Sequence, residues 1–235
     1  MAKAIITGGA IRVGKAISIA LAKAGYDIIL IFNNSMSEAR EVAEIIRSEG
    51  RECFLHKCDL FRKENIDKLF ADITRKHKDV TLLVNSASIF EKHGFMESTE
   101  QIFDSHMNIN FKAPFFLSQN FAYYISRHED IKDAAIINIL DKESPKLHTG
   151  HFVYHLTKNV LGDLTQMLEK DLGPRIRVNS VSLGRVLPPK QKDEKLDLSQ
   201  YPKLKEATDA ILRLSSNNLT GQDIVIESDP ELKKL

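Results

Sequence analysis

The sequence predicts a single α/β domain built on a doubly wound parallel sheet of about seven strands, with helices on both faces. Short apolar runs alternate along the chain with segments whose apolar residues recur at helical spacing. The runs are continuously apolar, which is typical of strands buried on both faces of a parallel sheet. A chain of 235 residues, 43% hydrophobic and 28% charged, fits one large domain or two small ones. One domain spanning residues 1–235 is the simpler interpretation.

Each predicted strand is a short apolar run that ends at a turn-forming or polar segment. The first run ends at the Gly8-Gly9 pair, and the second is followed by Asn33-Asn34-Ser35. The predicted strands cover residues 3–7, 28–32, 53–57, 80–85, 134–140, 176–182 and 223–227.

Amphipathic segments between these runs predict the helices. In the first segment Val13, Ile17 and Leu21 share one face, and Gly25 follows as a stop signal. Residues 185–201 have a proline pair, several lysines and acids, and little periodicity. They predict a long loop, which is either a solvated linker or, as we favour, a mobile substrate loop. The predicted helices cover residues 13–24, 36–46, 63–76, 99–126, 150–172 and 205–214.

Charge and composition favour a small-molecule partner in a reducing, cytoplasmic setting. The net charge is +1 with both signs interspersed, which argues against a nucleic-acid or membrane surface. The chain has no run of 18 apolar residues, and its N-terminus reads as a strand and turn rather than a signal peptide. Cys53 and Cys58 are the only cysteines, and their spacing indicates neither a zinc motif nor a disulfide framework.

The segment from Thr7 to Gly14 predicts a Rossmann-like dinucleotide site. It lies between the first strand and the first helix, where a pyrophosphate docks against a helix N-terminus. Gly8 permits the tight turn, and Gly14 lets the helix approach the sheet. Arg12 stands where the G-x-G-x-x-G fingerprint usually has glycine. The alternative interpretation is an ordinary strand-to-helix turn.

The residues that follow the second strand favour NADPH over NADH. NAD sites place a carboxylate there for the ribose 2′-hydroxyl, whereas this chain has Asn33, Asn34 and Ser35. No acid would repel a 2′-phosphate, and Arg12 offers that phosphate a charged fork. Asp59, after the third strand, is expected either to accept from the adenine amino group or to cap the next helix.

Tyr154 and Lys158 are a candidate acid–base pair. They are four residues apart in a predicted helix, so their side chains share one face. A phenol has an unperturbed pKa of about 10, and a neighbouring ammonium lowers that pKa by stabilising the phenolate. Such a pair also arises by chance in many helices. His148, His151 and His155 flank the pair, and they favour the lining of a substrate mouth over a metal site.

Several motifs in the right order resemble those of the short-chain dehydrogenase/reductases. Within that family the chain resembles most the pteridine reductases and the bacterial dihydromonapterin reductases. Three signs carry this closer resemblance: Arg12 in the glycine turn, Asp141 where most members have Ser, and Phe90 after the fourth strand. The family motifs are Thr7-Gly8 to Gly14, Cys58-Asp59-Leu60, Asn85-Ser86-Ala87-Ser88, Asn110 in INFKAPFF, and Tyr154 with Lys158.

The resemblance implies a role for each matching position. Lys158 would hold the ribose hydroxyls and lower the Tyr154 pKa, and Phe90 would stack on a pterin ring. Arg12 and Ser88 would make polar contacts with that ring. A homotetramer is also implied, with residues 99–126 and 150–172 as the expected interface. The implied cofactor-binding residues are Gly8, Arg12, Val13, Gly14, Asn33, Asn34, Ser35, Asp59, Leu60, Asn85, Ala87, Tyr154, Lys158 and Gly184.

Asp141 indicates which kind of double bond is reduced. An ionised carboxylate repels the alkoxide that forms when a carbonyl is reduced. Reduction of a C=N bond requires a proton on nitrogen, and an acid that relays a proton to Tyr154 assists that step. Two alternatives stay open for Asp141: a cap for the loop after the strand, or a degenerate site.

Asn110 has an argument of its own. Pro114 lacks a backbone N–H, so the Asn110 carbonyl four residues earlier would lose its helical donor. In the family resembled, a water on this Asn links to the catalytic Lys, and the free carbonyl suits that role. The alternative is a kinked but inert helix.

The sequence as a whole predicts an NADPH-dependent reductase that acts on a ring C=N of a pterin, either a dihydropterin or a dihydrofolate-like substrate. A carbonyl reductase, such as one acting on a 3-oxoacyl thioester, is the first alternative. A non-catalytic NADPH-binding scaffold is the second. No metal is predicted. The predicted catalytic residues are Asp141, Tyr154, Lys158 and Asn110, and the predicted substrate contacts are Arg12, Ser88, Phe90, Asp141 and Tyr154.

Overall fold

The computed structural model describes residues 1–146, 148–188 and 200–234. The strands in this part of the chain form one seven-stranded sheet, and all neighbouring pairs are parallel. They are β1 (Lys3–Thr7), β2 (Asp27–Phe32), β3 (Cys53–Lys57), β4 (Val80–Asn85), β5 (Ala135–Asp141), β6 (Arg177–Leu183) and β7 (Asp223–Ile226). Their order across the sheet is β3-β2-β1-β4-β5-β6-β7.

Helices cover both faces of this sheet, as the sequence predicts. They are α1 (Arg12–Lys23), α2 (Met36–Ser48), α3 (Lys63–Lys76), α4 (Glu100–His106), α5 (Ala113–Ser126), α6 (Phe152–Leu172) and α7 (Pro202–Ser216). One apolar layer joins the sheet to α1, α2 and α7, and the other joins it to α3, α5 and the C-terminal end of α6.

The predicted strand limits agree with the structure to within one residue at each end. The predicted helix over residues 99–126 is divided, because a π-helical turn, Met107–Lys112, separates α4 from α5. Pro114 lies just after this turn, at the start of α5. The distortion predicted around Asn110 is therefore present, in the form of a π-helical turn. Most of the predicted substrate loop, residues 189–199, lies outside the described residues.

The order of the strands places a crevice between β1 and β4. The chain runs outward from β1 to β3 and then returns to β4 on the other side of β1. In open parallel sheets of this kind, ligands bind at the carboxyl ends of the strands on either side of such a reversal. The segments that follow β1, β4, β5 and β6 therefore carry the candidate site residues.

A chain of amide hydrogen bonds crosses the interior between β4, β5 and α6. Asn85 Nδ2 donates to Asn138 Oδ1 at 2.8 Å, and Asn138 Nδ2 donates to Thr165 Oγ1 at 2.9 Å. Asn85 and Asn138 are also partners in the strand register, and both are buried. This polar chain ties the last residue of β4 to the middle of β5.

Within the described ranges, no group of three or more His, Cys, Asp or Glu side chains is arranged to hold a metal ion. Both thiols, Cys53 and Cys58, are buried and free. The helices of the described part of the chain are all too short or too polar to cross a membrane.

Candidate active site

Asp141, Tyr154 and Lys158 meet at the carboxyl end of β5. The Tyr154 hydroxyl donates to Asp141 Oδ2 at 3.0 Å, and Glu143 N–H donates to Asp141 Oδ1 at 2.7 Å. Lys158 Nζ donates to the Ile139 carbonyl at 2.8 Å and lies 5.8 Å from the centre of the Tyr154 ring. The structure thus brings together the three residues that the sequence predicts as an acid–base unit.

Local structure explains why these three side chains converge. Asp141 is the last residue of β5, where its backbone still pairs with Leu183 of β6. Tyr154 and Lys158 lie in the first two turns of α6, which packs against β5 and β6. Both side chains are more than nine-tenths buried, with exposed fractions of 7% and 4%. Helical spacing and strand register together therefore point one face of α6 at the end of β5.

The expected lowering of the Tyr154 pKa by Lys158 is wrong for this arrangement. Burial raises the pKa of Tyr154 well above its ordinary value, and the Asp141 carboxylate raises it further through its charge and hydrogen bond. Burial also lowers the pKa of Lys158 to about 8, against the opposing effect of Asp141. Before a cofactor binds, Tyr154 is therefore a protonated donor whose proton points at Asp141.

Asn110 connects the loop after β4 to α6 through its side chain. Its Oδ1 accepts from Ile89 N–H at 2.8 Å and from the Ser88 hydroxyl at 3.2 Å. Its Nδ2 donates to the Ile89 carbonyl at 2.9 Å and to Thr157 Oγ1 at 3.2 Å. The fully buried amide is therefore a fixed support for the loop that carries Ser88. The proton route through the Asn110 carbonyl stays a prediction.

Phe90 stands at the mouth of this site. Its ring is 61% exposed and lies 4.7 Å from the Tyr154 ring, in an edge-to-face arrangement. His151 packs on Phe90 with the two ring centres 4.2 Å apart. An exposed aromatic face beside the Tyr154 hydroxyl is suited to stack on a flat ligand ring.

The glycine turn after β1 is packed so tightly that two of its residues have no room for a side chain. A Cβ on Gly14 would lie 2.1 Å from the Gly8 carbonyl oxygen, and a Cβ on Gly8 would lie 3.0 Å from Ala87 Cα. Gly8 also has a φ of +64°, which favours glycine. Thr7 Oγ1 accepts from the N–H groups of Ser86 and Ala87, each at 2.9 Å. These contacts bring the segments after β1 and β4 together at the crevice.

The N-terminus of α1 suits an anion. Ile11 occupies the cap position, and within the described part of the chain no side chain there caps the helix. The first turn of α1 contains no acid. Its free N–H groups and helix dipole therefore favour a phosphate at the glycine turn. Val13 lies in this first turn, close to where the predicted pyrophosphate would dock.

Arg12 is oriented towards the chain after β6. Its Nη2 donates to the Pro188 carbonyl at 2.8 Å, and its backbone has a φ of +51°. The predicted 2′-phosphate position lies instead at the end of β2, where Asn33 and Asn34 are exposed and Ser35 precedes α2. The observed direction of Arg12 favours its predicted role at the substrate over its predicted role at the 2′-phosphate.

Three further predicted cofactor residues make contacts within the protein itself. Asp59 is exposed, and its Oδ1 accepts from Phe61 N–H at 3.1 Å, so it closes the turn containing Leu60 rather than capping α3. Asn85 is buried with its amide directed into the sheet, so the position of its side chain does not support a cofactor contact. A Cβ on Gly184 would lie 2.5 Å from Ser228 N, so this position must be small for the end of β6 to pack.

The sequence did not predict the supporting hydrogen bonds of Thr7, Ser144, Thr157 and Asn159. Each of these residues is a common polar type with no fixed spacing to a partner. Their contacts arise from loops that meet only in the folded chain. The Ser and Thr spacing in the sequence contains no signal that could have identified them.

Comparison with known proteins reveals related oxidoreductases. The family model for short chain dehydrogenase matches residues 2–198. The 3-oxoacyl-(acyl-carrier-protein) reductase FabG of Staphylococcus epidermidis is 26% identical over 94% of this chain and 95% of its own. The L-xylulose reductase of Mesocricetus auratus is 29% identical over 96% of this chain and 94% of its own.

A crystal structure offers a further comparison at similar identity. FolM alternative dihydrofolate reductase 1 from Brucella suis, in complex with NADP, is 30% identical to this chain with a TM-score of 0.83. The match covers 96% of this chain and 93% of that one. Because the family model spans most of the chain and includes the glycine turn, Asp141, Tyr154 and Lys158, this protein belongs to the short chain dehydrogenase family.

Proposed function

We propose that this protein is an NADPH-dependent reductase that transfers hydride to a ring C=N bond of a dihydropterin or a dihydrofolate-like substrate. The observation that carries the proposal is the hydrogen bond from the Tyr154 hydroxyl to Asp141 Oδ2, at 3.0 Å. This bond joins a carboxylate to a phenol that can donate a proton, and the exposed aromatic ring of Phe90 lies beside them. The similarity to FolM supports the same substrate class.

The residues around the crevice fit NADPH as the cofactor, which would supply the hydride. The uncapped N-terminus of α1 and the compact turn at Gly8 and Gly14 would hold its pyrophosphate. Lys158 would donate to the ribose hydroxyls in place of its present hydrogen bond to the Ile139 carbonyl. The absence of an acid at Asn33 to Ser35 accommodates a 2′-phosphate. The FolM structure and a LanV ketoreductase structure, 26% identical with a TM-score of 0.80, both contain NADP.

Asp141 favours a nitrogen over an oxygen as the proton acceptor. A developing alkoxide next to the Asp141 carboxylate would be repelled, and a site that stabilises such charge uses neutral or cationic donors. Hydride transfer to a ring C=N bond requires a proton on the nitrogen. When that proton arrives together with the hydride, the nitrogen does not carry a full negative charge. Tyr154 would deliver that proton, and Asp141 would orient the hydroxyl and replenish the proton from solvent.

The flat ring of the substrate would lie between Phe90 and the nicotinamide. The Phe90 ring is largely exposed and packs edge-to-face with the Tyr154 ring. The Ser88 hydroxyl lies on the same loop and donates to Asn110, and the Arg12 guanidinium donates to the Pro188 carbonyl in the segment after β6. Asn110 would act as the support for this loop.

The test is a substrate screen with purified protein and NADPH. We expect NADPH absorbance to fall with dihydrobiopterin or dihydrofolate, and to stay constant without a second substrate. Turnover of an acetoacetyl thioester combined with none of any pterin would overturn the proposal. A Tyr154→Phe protein serves as the matched control, because it keeps the ring and loses the proton.

Carbonyl reduction is the second candidate, and the similarity to FabG favours it. In that case Asp141 would have to be protonated at working pH to donate to the oxygen. A non-catalytic NADPH-binding scaffold is the third. NADPH fluorescence that responds to the protein, without turnover of either substrate class, would favour the scaffold.

A further inference from the structure

A second set of hydrogen bonds joins the same two elements as the Asp141–Tyr154 bond. Ser144 lies in the turn that follows β5, and its Oγ is 2.9 Å from His155 Nδ1. Asn159 Nδ2 donates to the Ser144 carbonyl at 3.1 Å. Ser144 and His155 are buried, with exposed fractions of 1% and 8%. We call Ser144, His155 and Asn159 the turn clamp.

The turn clamp lies beside the acid–base pair on both elements. On α6, His155 and Asn159 are four residues apart, and each directly follows Tyr154 or Lys158 in the chain. On the other side, Ser144 is three residues after Asp141, and Glu143 between them donates its N–H to the Asp141 carboxylate. The clamp therefore fixes the turn whose backbone orients Asp141.

His155 is neutral in this position at neutral pH. Burial lowers the pKa of His155, and the neighbouring Asp141 and Glu143 carboxylates only partly oppose that effect, while His148 adds to it. The neutral imidazole and the Ser144 hydroxyl form one hydrogen bond, in which the donor is set by the tautomer of His155. The contact is thus a neutral hydrogen bond between buried partners, and its loss would leave polar atoms unpaired.

We infer that His155, acting with Ser144, is a positioning residue that holds Asp141 at hydrogen-bond distance from the Tyr154 hydroxyl. This inference rests on the proposed function in one respect: it assumes that the Asp141–Tyr154 pair moves a proton during reduction. The geometry of the clamp is independent of the substrate class. His155 is buried against Ser144, so the prediction that it lines a substrate mouth is wrong for this residue, and it would act through Asp141 instead.

The inference predicts a change in Tyr154 itself. Burial raises the pKa of Tyr154 most and Asp141 raises it further, so displacement of Asp141 would remove the second contribution and allow Tyr154 to ionise at lower pH. His155→Phe keeps the ring and removes the bond, and Ser144→Ala removes the other partner. His155→Asn keeps a polar atom near the Nδ1 position without a titrating ring. The titratable groups in contact with Tyr154 are Asp141 from β5 and Lys158 and His155 from α6, and His151 from the turn before α6 stacks on His155.

The first experiment needs no substrate. Each protein is titrated with base and its tyrosinate absorbance is recorded. The curve of the same protein carrying Tyr154→Phe is then subtracted, which leaves the signal of Tyr154 alone. We expect Tyr154 to ionise at lower pH in His155→Phe and in Ser144→Ala than in the wild type, and His155→Asn to restore most of the difference. A Tyr154 titration that is the same in all four proteins overturns the inference, whatever the substrate proves to be.

The second experiment measures turnover with whichever substrate the wild type reduces. We expect kcat to fall about tenfold in His155→Phe and in Ser144→Ala, with the KM for NADPH within about twofold. The double variant should lose no more than the larger single effect, because the two residues act through one bond. Additive losses, or a KM increase with unchanged kcat, would show a role in general stability or binding and overturn the inference. Absence of pterin turnover in the wild type would instead count against the proposed function alone.

Discussion

Asp141 has both carboxylate oxygens engaged, one by a backbone N–H of its own turn and one by the Tyr154 hydroxyl. Residue spacing predicted Tyr154 and Lys158 as a pair, and the resemblance added Asp141. The direction of the Tyr154 pKa was not predictable in this way. That direction depends first on how deeply Tyr154 is buried and then on its distance from Asp141, and both are set by how α6 docks on β5.

Replacing Asp141 with Ser tests the choice of double bond. Asp141→Ser removes the acid and leaves a hydroxyl of the kind that carbonyl reducers of the family use. We expect pterin turnover to fall by about tenfold or more while NADPH affinity stays within about twofold. Steady-state kinetics and NADPH fluorescence titration measure the two quantities. Unchanged pterin turnover would show that the carboxylate is incidental, and Asp133→Ser, at an exposed position, is the control.

Replacing Arg12 separates its two predicted roles. If its guanidinium binds the 2′-phosphate, Arg12→Ala should weaken NADPH by about tenfold and leave NADH unchanged, because only NADPH carries that group. If it acts at the substrate, as its bond to the Pro188 carbonyl favours, both cofactors should bind as before and the substrate KM should rise. Titrations with NADPH and NADH distinguish the outcomes. Lys23→Ala, at the other end of α1, is the matched loss of charge.

The contribution of the buried Lys158 to the free energy of unfolding should increase with pH. Its pKa is about 8 in the folded protein, below the ordinary value of 10.5, so between these values the unfolded chain binds more protons. Lys158 alone should therefore raise the free energy of unfolding of the cofactor-free protein by about 2 kcal/mol between pH 8 and pH 10. Burial raises the pKa of Cys53 to about 12 and that of Cys58 to about 11, so these two thiols lower the stability over the same pH range. Above pH 10 the raised Tyr154 pKa acts in the opposite direction, because the unfolded phenol ionises first.

Urea unfolding at pH 7.5 and at pH 9.5 measures this effect. Lys158→Met removes the buried ammonium and keeps both thiols, so between the two pH values the wild type should gain about 2 kcal/mol in the free energy of unfolding relative to Lys158→Met. The exposed Lys23 supplies the control, since Lys23→Met should keep the wild-type pH dependence. Equal pH dependence in the wild type and in Lys158→Met would contradict the assignment of the buried lysine.

At the scale of elements, the strands were predictable because each is a continuous apolar run, and a parallel sheet buries both faces of such a run. The π-helical turn Met107–Lys112 was not, since Pro114 indicates only that the helix is disturbed and not how its backbone rearranges. The turn between β5 and α6 was likewise beyond prediction. Its bonds to His155 and Asn159 form between residues whose proximity depends on the sheet.

The glycine turn gives the prediction that belongs to this scale. Gly14→Ala would place a Cβ 2.1 Å from the Gly8 carbonyl oxygen, so α1 must move away from the turn. We expect a loss of about 2 kcal/mol or more in the free energy of unfolding, together with weaker NADPH binding. Urea unfolding and fluorescence titration measure both. Gly150→Ala is the control, because a Cβ at Gly150 meets no atom within 4 Å, and its stability should stay close to wild type.

At the scale of the whole molecule, the fold class and the helices on both faces were predictable from the alternation of patterns along the chain. The closeness of the crevice to the end of β5 follows from the strand order, which the sequence pattern alone does not specify. Cofactor choice and substrate depend on side-chain directions, such as that of Arg12, and these directions require the structure.

Exposed apolar side chains on α5 and α6 favour the homotetramer that the family resemblance implies. Phe115, Tyr123, Leu156 and Met167 have exposed fractions of 37%, 58%, 40% and 68%. We expect the protein to sediment as a tetramer, and Met167→Glu to shift it towards smaller species, because a charge at such an interface loses its hydration. Met36→Glu is the matched control, since Met36 is 39% exposed on α2, which packs against α1, β2 and β3. A wild-type monomer at micromolar concentration would contradict the proposal.

The amide chain of Asn85, Asn138 and Thr165 also limits how β4 and β5 can slide against each other. A slip of one residue would separate the paired Asn85 and Asn138 and leave two buried amides without partners, at a cost of several kcal/mol. The same slip would shift the loop that carries Phe90 by about 3.3 Å relative to Asp141. The amides thus act as a register lock, and the spacing between the aromatic face and the acid is maintained from inside the core rather than at the surface.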